Sequence, residues 1–172
     1  MDEQAGTVCV GGRAKLQNMN NPESIKTFWR RFCEIGKISS GEPFQVWFFG
    51  NSSEMARELA KLVLQGKKTA TASLVATNKL KPESAPINDG FSVVTDFESN
   101  PMCVIQTSET RHLPFAEVDA EFAFDEGESD QSLEYWHDVH HKYFMKEAAE
   151  LNIEFNEKSL IACERFKLLF PK

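Results

Sequence analysis

Two lysines and three hydroxyls crowd one short stretch of this 172-residue chain: Lys67, Lys68, Thr69, Thr71 and Ser73. A hydroxyl becomes a useful nucleophile when a base stands beside it, and a lysine can be that base once it is neutral. An unperturbed lysine has a pKa of about 10.4. Burial and a second cation both lower that value. Lys67 beside Lys68 offers the second effect, and the flanking Ala and Leu residues offer the first. The same pair can instead answer the negative end of a helix dipole. Strand geometry adds a constraint, because Lys68 and Thr71 fall on opposite faces of a regular strand. They converge only if the chain bends or bulges between them.

Asp125, Glu126, Gly127, Glu128 and Asp130 form the complementary acidic cluster. Calcium-loop spacing is absent. Two readings stand: a solvated loop whose acids favour the next helix's N-terminus, or a carboxylate folded over the Lys/Thr stretch to pair with the lysine or move a proton. Glu164 shares the inward parity of the apolar residues at 160, 162, 166, 168 and 170. It therefore needs a cation, from Lys68 or the surroundings of Arg165, or else a polar cavity. His137 and His141 have i,i+4 spacing, but no carboxylate follows at a zinc-protease position, so no metal is expected. Trp47, Phe48 and Phe49 supply either core or a surface on which a base could stack. Cys9, Cys33, Cys103 and Cys163 are widely spaced, which fits neither a disulfide framework nor a zinc site. The last three lie in apolar segments and are predicted buried.

The elements that must position these groups follow from periodicity. Asn21-Pro22-Glu23 reads as a helix start, Ile25, Phe28, Trp29, Phe32 and Ile35 as its stripe, and Gly36 as its stop. A second helix is predicted from Asn51 or Ser52, with Glu54 completing a capping box and Gly66 as C-cap. Residues 67–74 alternate as a strand. Phe91–Thr95 and Met102–Thr107 suggest a hairpin across Asn100-Pro101, with His112–Val118 continuing the sheet. A long helix is predicted from near Ser129 or Asp130, and a closing strand over Leu160–Phe170. Helices and strands do not alternate regularly, so a small mixed or β-barrel-like α+β fold is expected.

Composition narrows the class. The apolar fraction of 41%, with 14 Phe, is enough for a core, and 26% charged residues is ordinary for a folded domain. Residues 1–20 are Gly-rich and aperiodic and are predicted to be a disordered tail, with residues 21–172 as one domain. No apolar run approaches the roughly 20 residues that span a bilayer, and no signal peptide is read at the start. An intracellular protein is expected, cytoplasmic or nuclear, without a membrane partner. Nineteen basic against 26 acidic residues give −7. Residues 1–85 carry +4 and residues 86–172 carry −11. Binding to long nucleic acid by phosphate neutralisation calls for the opposite balance. A small-ligand site suits it better.

Gly66-Lys67-Lys68-Thr69-Ala70-Thr71 resembles the Gly-x-Lys-x-x-Thr signature of ASCH domains. The wider pattern is similar to the longer YhfF-type subgroup: Trp47-Phe48-Phe49-Gly50-Asn51-Ser52, Phe115 to Ala123, Asp125-Glu126-Gly127-Glu128, Ser132 to Trp136, and Cys163-Glu164-Arg165-Phe166. The resemblance covers roughly residues 23–171. It implies a PUA-like β-barrel with flanking helices, no cofactor, and either a nucleoside-like ligand or single-stranded RNA. A shorter member removes the acetyl group of N4-acetylcytidine with a Lys, a Thr and a Glu. These fall on Lys68, Thr71 and Glu126, with Glu128 as the alternative acid. Another member is reported as a ribonuclease, and eukaryotic members sit in transcription coactivators. That amidohydrolase has Arg where Ser73 stands and lacks the first helix. The implied chemistry has neutral Lys68 take the proton of Thr71, which attacks the acyl carbon while Glu126 protonates the leaving amine. Trp47 or Phe48 would stack on the base, and Lys67, Ser73, Glu128 and Glu164 would complete the binding surface. The competing expectation is an RNA-binding module that uses the same cavity without chemistry.

Overall fold

The computed structural model describes residues 20–171. The expected tail, with Cys9, lies outside the described residues apart from Asn20, whose backbone N–H donates to Ser99 Oγ at 3.3 Å. The first helix, α1, spans Pro22–Gly36. Proline at its first position has no N–H to leave unsatisfied. Ile25, Trp29, Phe32 and Cys33 form its buried face. Ile35 does not join them and is 63% exposed. The stop is one residue later than expected: Lys37, not Gly36, takes the left-handed φ of 52°.

A short strand β1, Phe44–Trp47, precedes helix α2, Ser53–Leu64. Ser52 caps α2 by accepting from the Met55 N–H. That places Met55, not Glu54, at the capping-box position, so the expected box does not form. Strand β2 covers only Ala70–Leu74 and runs straight into helix α3, Val75–Leu80. Strands β3, Phe91–Thr95, and β4, Pro101–Pro114, make the expected hairpin. Helix α4 is Ala120–Glu126, the long helix α5 is Leu133–Leu151, and β5 is Leu160–Phe170.

The strand order is β1-β3-β4-β5-β2. β1 runs parallel to β3, and the other pairs are antiparallel. The sheet is mixed, as the α+β reading expected, and open, with β1 and β2 at its ends, so it does not close into a full barrel. Alternation assigns the two faces. Val93 and Val104 pack under α1 with Trp29 and Phe32, whereas Val94, Cys103 and Ile105 pack under α2 with Ala60 and Val63. Burial on both sides explains why these central strands read as continuous apolar runs. A third cluster joins β2 and β5 to α4 and α5 through Phe115, Phe122, Trp136 and Phe144. Cys33, Cys103 and Cys163 are buried free thiols, as predicted. Among the described residues no helix is long and apolar enough to cross a membrane.

Candidate functional site

Lys68 is carried by the turn that ends α2. Gly66 adopts φ +72°, its N–H donates to the Val63 carbonyl at 2.9 Å, and the Lys67 N–H donates to Leu62 at 3.0 Å. These two bonds are a Schellman motif, which glycine closes without a Cβ penalty. Beyond it, the Thr69 N–H donates to the Asp125 carbonyl at 2.8 Å, and the Thr69 carbonyl accepts from Phe166 N–H at 2.9 Å. Regular pairing of β2 begins only at Ala70, opposite Arg165. The bend that the sequence required is therefore present, and Lys68 and Thr71 line the same cavity.

The acids arrive over the same turn. Gly127 has φ +71°, and a Cβ there would sit 2.2 Å from the Lys67 carbonyl oxygen and 2.9 Å from the Lys68 nitrogen. Only glycine lets the two backbones approach this closely, and that contact sets Glu126 and Glu128 around one amine. Lys68 Nζ donates to Glu126 Oε2 at 2.5 Å, Glu128 Oε1 at 2.8 Å and the Glu126 carbonyl at 3.3 Å. An ammonium has three hydrogens, and all three have acceptors. The Phe49 ring lies 5.3 Å from Nζ. Glu126 Oε1 in turn accepts from Trp136 Nε1–H at 3.1 Å and lies 3.4 Å from His140 Nε2. His140 Nδ1 is 2.9 Å from the Trp136 carbonyl, an acceptor, so that nitrogen carries a hydrogen.

Lys68 and Glu126 are each 1% exposed. Burial disfavours both charges, but each is the other's counter-ion. Burial would raise Glu126, yet Lys68 and His140 hold it down at about 2. Burial would lower Lys68, yet Glu126 and Glu128 keep it above its ordinary value. The expected neutral lysine is thus corrected: the resting amine is a paired ammonium. The lysine meant to depress it, Lys67, is exposed and lies outside the cavity lining.

The cavity encloses about 110 Å³, against the roughly 10–15 Å³ one water requires. It collects the remaining expected residues Trp47, Phe48, Ser73, Glu128 and Glu164. Trp47 and Phe48 are mostly core: Trp47 meets Phe49 edge-on at 4.7 Å, and Phe48 meets Phe97 at 5.2 Å. Glu164 accepts from Thr107 Oγ1 at 2.5 Å, a partner that the sequence reading had not named. Next along β5, Arg165 points the other way and holds Asp125 at 2.8 Å. Among the described residues no group of three or more His, Cys, Asp or Glu is arranged to hold a metal.

Sequence reasoning missed one part of the cavity. Thr77, Asn78, Tyr143 and Glu147 also line it. Glu147 carried a readable signal, since it sits seven residues after His140 on the buried stripe of α5, the same anomaly that marked Glu164. Thr77 carried none, because α3 was not predicted.

Comparisons with known proteins agree on one family. A family model described as ASCH domain matches residues 45–169. The crystal structure of an ASCH domain from Lactobacillus crispatus is 31% identical, with a TM-score of 0.78 over 89% of this chain and 97% of that one. A crystal structure of a protein from Enterococcus faecalis is also 31% identical, with a TM-score of 0.76 over 85% of this chain and 88% of that one. No curated protein matches the chain.

Proposed function

The chain belongs to the ASCH domain family, and from that premise we propose that it hydrolyses the acyl amide of N4-acylated, cytidine-like nucleosides. One observation carries the reading: a fully buried ammonium held between Glu126 and Glu128 on the wall of a cavity that Thr71 also lines. A small concave site of this kind suits a nucleoside better than a polyanionic backbone, which the carboxylates would repel.

The resting ammonium cannot take a proton, but its bond to Glu126 supplies a route. Passing one proton to Glu126 leaves both partners neutral, a state that burial favours. Thr71 Oγ attacks the acyl carbon and gives its proton to the Lys68 amine, whose restored charge stabilises the oxyanion. Glu126 protonates the departing exocyclic nitrogen as the C–N bond breaks, leaving an acyl-threonine. Water then attacks that ester, loses a proton to Glu126, and Thr71 leaves with a proton from Lys68. Return of the proton from Glu126 to Lys68 closes the cycle.

The test is N4-acetylcytidine incubated with the purified protein, with cytidine and acetate measured by chromatography. Turnover is expected, and T71A should lower kcat/KM by about 10²-fold or more. Undiminished turnover in T71A would remove the nucleophile. Intact substrate together with salt-sensitive retention of single-stranded RNA would favour a non-catalytic RNA-binding module instead.

A further inference from the structure

We propose that the end of the cavity away from Lys68 is a ribose subsite, in which Glu147 and Thr77 take the vicinal hydroxyls of the nucleoside. The inference rests on the nucleoside reading above. His140, which faces the Lys68–Glu126 pair, and Glu147 are two turns apart on α5, about 10 Å along its axis. A nucleoside whose acylated nitrogen lies at the Lys68–Glu126 pair therefore extends toward Glu147 along the same wall of the cavity.

The polar groups at this end are of two kinds. Asn78 and the residues beside it satisfy one another: Asn78 Nδ2 donates to Ser73 Oγ at 3.0 Å, and Ser84 Oγ donates to Asn78 Oδ1 at 3.2 Å. Glu147 Oε2 and Thr77 Oγ1 complete no hydrogen bond of good geometry, although Glu147 is only 5% exposed; the Thr77 hydroxyl facing the carboxylate offsets its burial only in part. Buried polar atoms in folded proteins nearly always make full hydrogen bonds, so a carboxylate and a hydroxyl that pair only weakly on a cavity wall mark where a ligand's polar atoms belong.

Charge selects the ligand group. An anion is repelled by Glu147. A cation is opposed by Lys81, which lines the same cavity. What remains is a neutral group rich in donors. Two adjacent hydroxyls can each donate to one carboxylate oxygen while one accepts from Thr77, the same pairing by which acidic residues hold ribose in dinucleotide sites. Without such donors, burial pushes Glu147 up to about 7. The groups that face it are Thr77 and Lys81 from the α3 side and Tyr143 and Glu150 from its own helix.

The experiment compares N4-acetylcytidine with its 2′-deoxy analogue in wild type, E147Q and T77V, by calorimetric binding and by hydrolysis, with melting curves to confirm folding. Wild type should prefer the ribonucleoside about tenfold or more. Both variants should lose most of that preference, weakening the ribonucleoside more than the 2′-deoxy analogue, which keeps one of the two hydroxyls. Equal affinity of wild type for the two nucleosides, with hydrolysis intact, would overturn the subsite and leave the proposed activity standing. Unchanged preference in both folded variants would also overturn it. Failure of wild type to bind or cleave either nucleoside would overturn the activity, and the subsite with it.

Discussion

Glu126 and Glu147 are the same side chain at nearly the same depth, 1% and 5% exposed, and both line one cavity. Burial pushes each carboxyl upward. At Glu126 an ammonium at 2.5 Å and a nearby imidazole reverse that push and hold the group at about 2. At Glu147 nothing of comparable strength is present, and the group rises to about 7. Depth alone therefore does not decide what a buried acid does. The partner brought to it decides. One end of the cavity is a completed charge network, and the other is a set of polar atoms with bonds still to make.

Removing the cation should break the contrast most severely. K68M strands two carboxylates and is expected to lower stability by about 3–5 kcal/mol, read from the denaturant midpoint. Adding E126Q should recover part of that loss. A double variant no more stable than K68M would point to lost packing instead of stranded charge.

The backbone beneath the network offers the next largest effect. G127A forces a Cβ against the Lys67 carbonyl at a left-handed φ and should cost on the order of 3 kcal/mol. G66A is its control. Gly66 has the same sign of φ but nothing within 4 Å of an added Cβ, so only the conformational penalty of roughly 1–2 kcal/mol is expected. Equal melting-temperature losses for the two would mean that the close approach at Gly127 contributes nothing.

The smallest effect lies at the other end. Glu147 has a folded pKa above its unfolded value, so the folded state binds the extra proton between about pH 4.5 and 7. Stability from this group is full below 4.5 and lost as pH rises through about 7. E147Q should therefore leave stability unchanged at pH 4 and raise it at pH 8 by up to about 3 kcal/mol, less what solvent screening removes. A pH-independent difference between the two proteins would contradict the assignment. Glu126 carries the opposite sign, with its contribution present above about 4.5 and lost as pH falls toward 2.

Much of this was legible before any coordinates. The α1 stripe, the β3–β4 hairpin and β5 follow from apolar spacing, because long elements with one buried face repeat their signal. β1 has four residues, and α3 and α4 have six and seven, too few turns or pleats for a period to show. The α4 segment is further disguised by acids, since only Phe122, Ala123 and Glu126 of it are buried. The family resemblance put Glu126 or Glu128 beside Lys68 and Thr71, where residue types alone offered only some carboxylate of the acidic stretch. Neither gave the protonation state, because adjacency in sequence made Lys67 look like the relevant neighbour. The turn sends Lys67 outward, and the true neighbours come from nearly sixty residues away.

The strut that carries the site amine is spelled mainly in peptide groups. Thr69 is exposed, and its main chain ties it to Asp125 on one side and Phe166 on the other, with its hydroxyl adding only a longer bond of 3.3 Å to the same Asp125 carbonyl. A change of side chain at that position therefore removes only the longer of its two bonds to Asp125 and leaves the backbone ties in place. Proline alone is barred, since it would delete the N–H on which the tie to Asp125 depends.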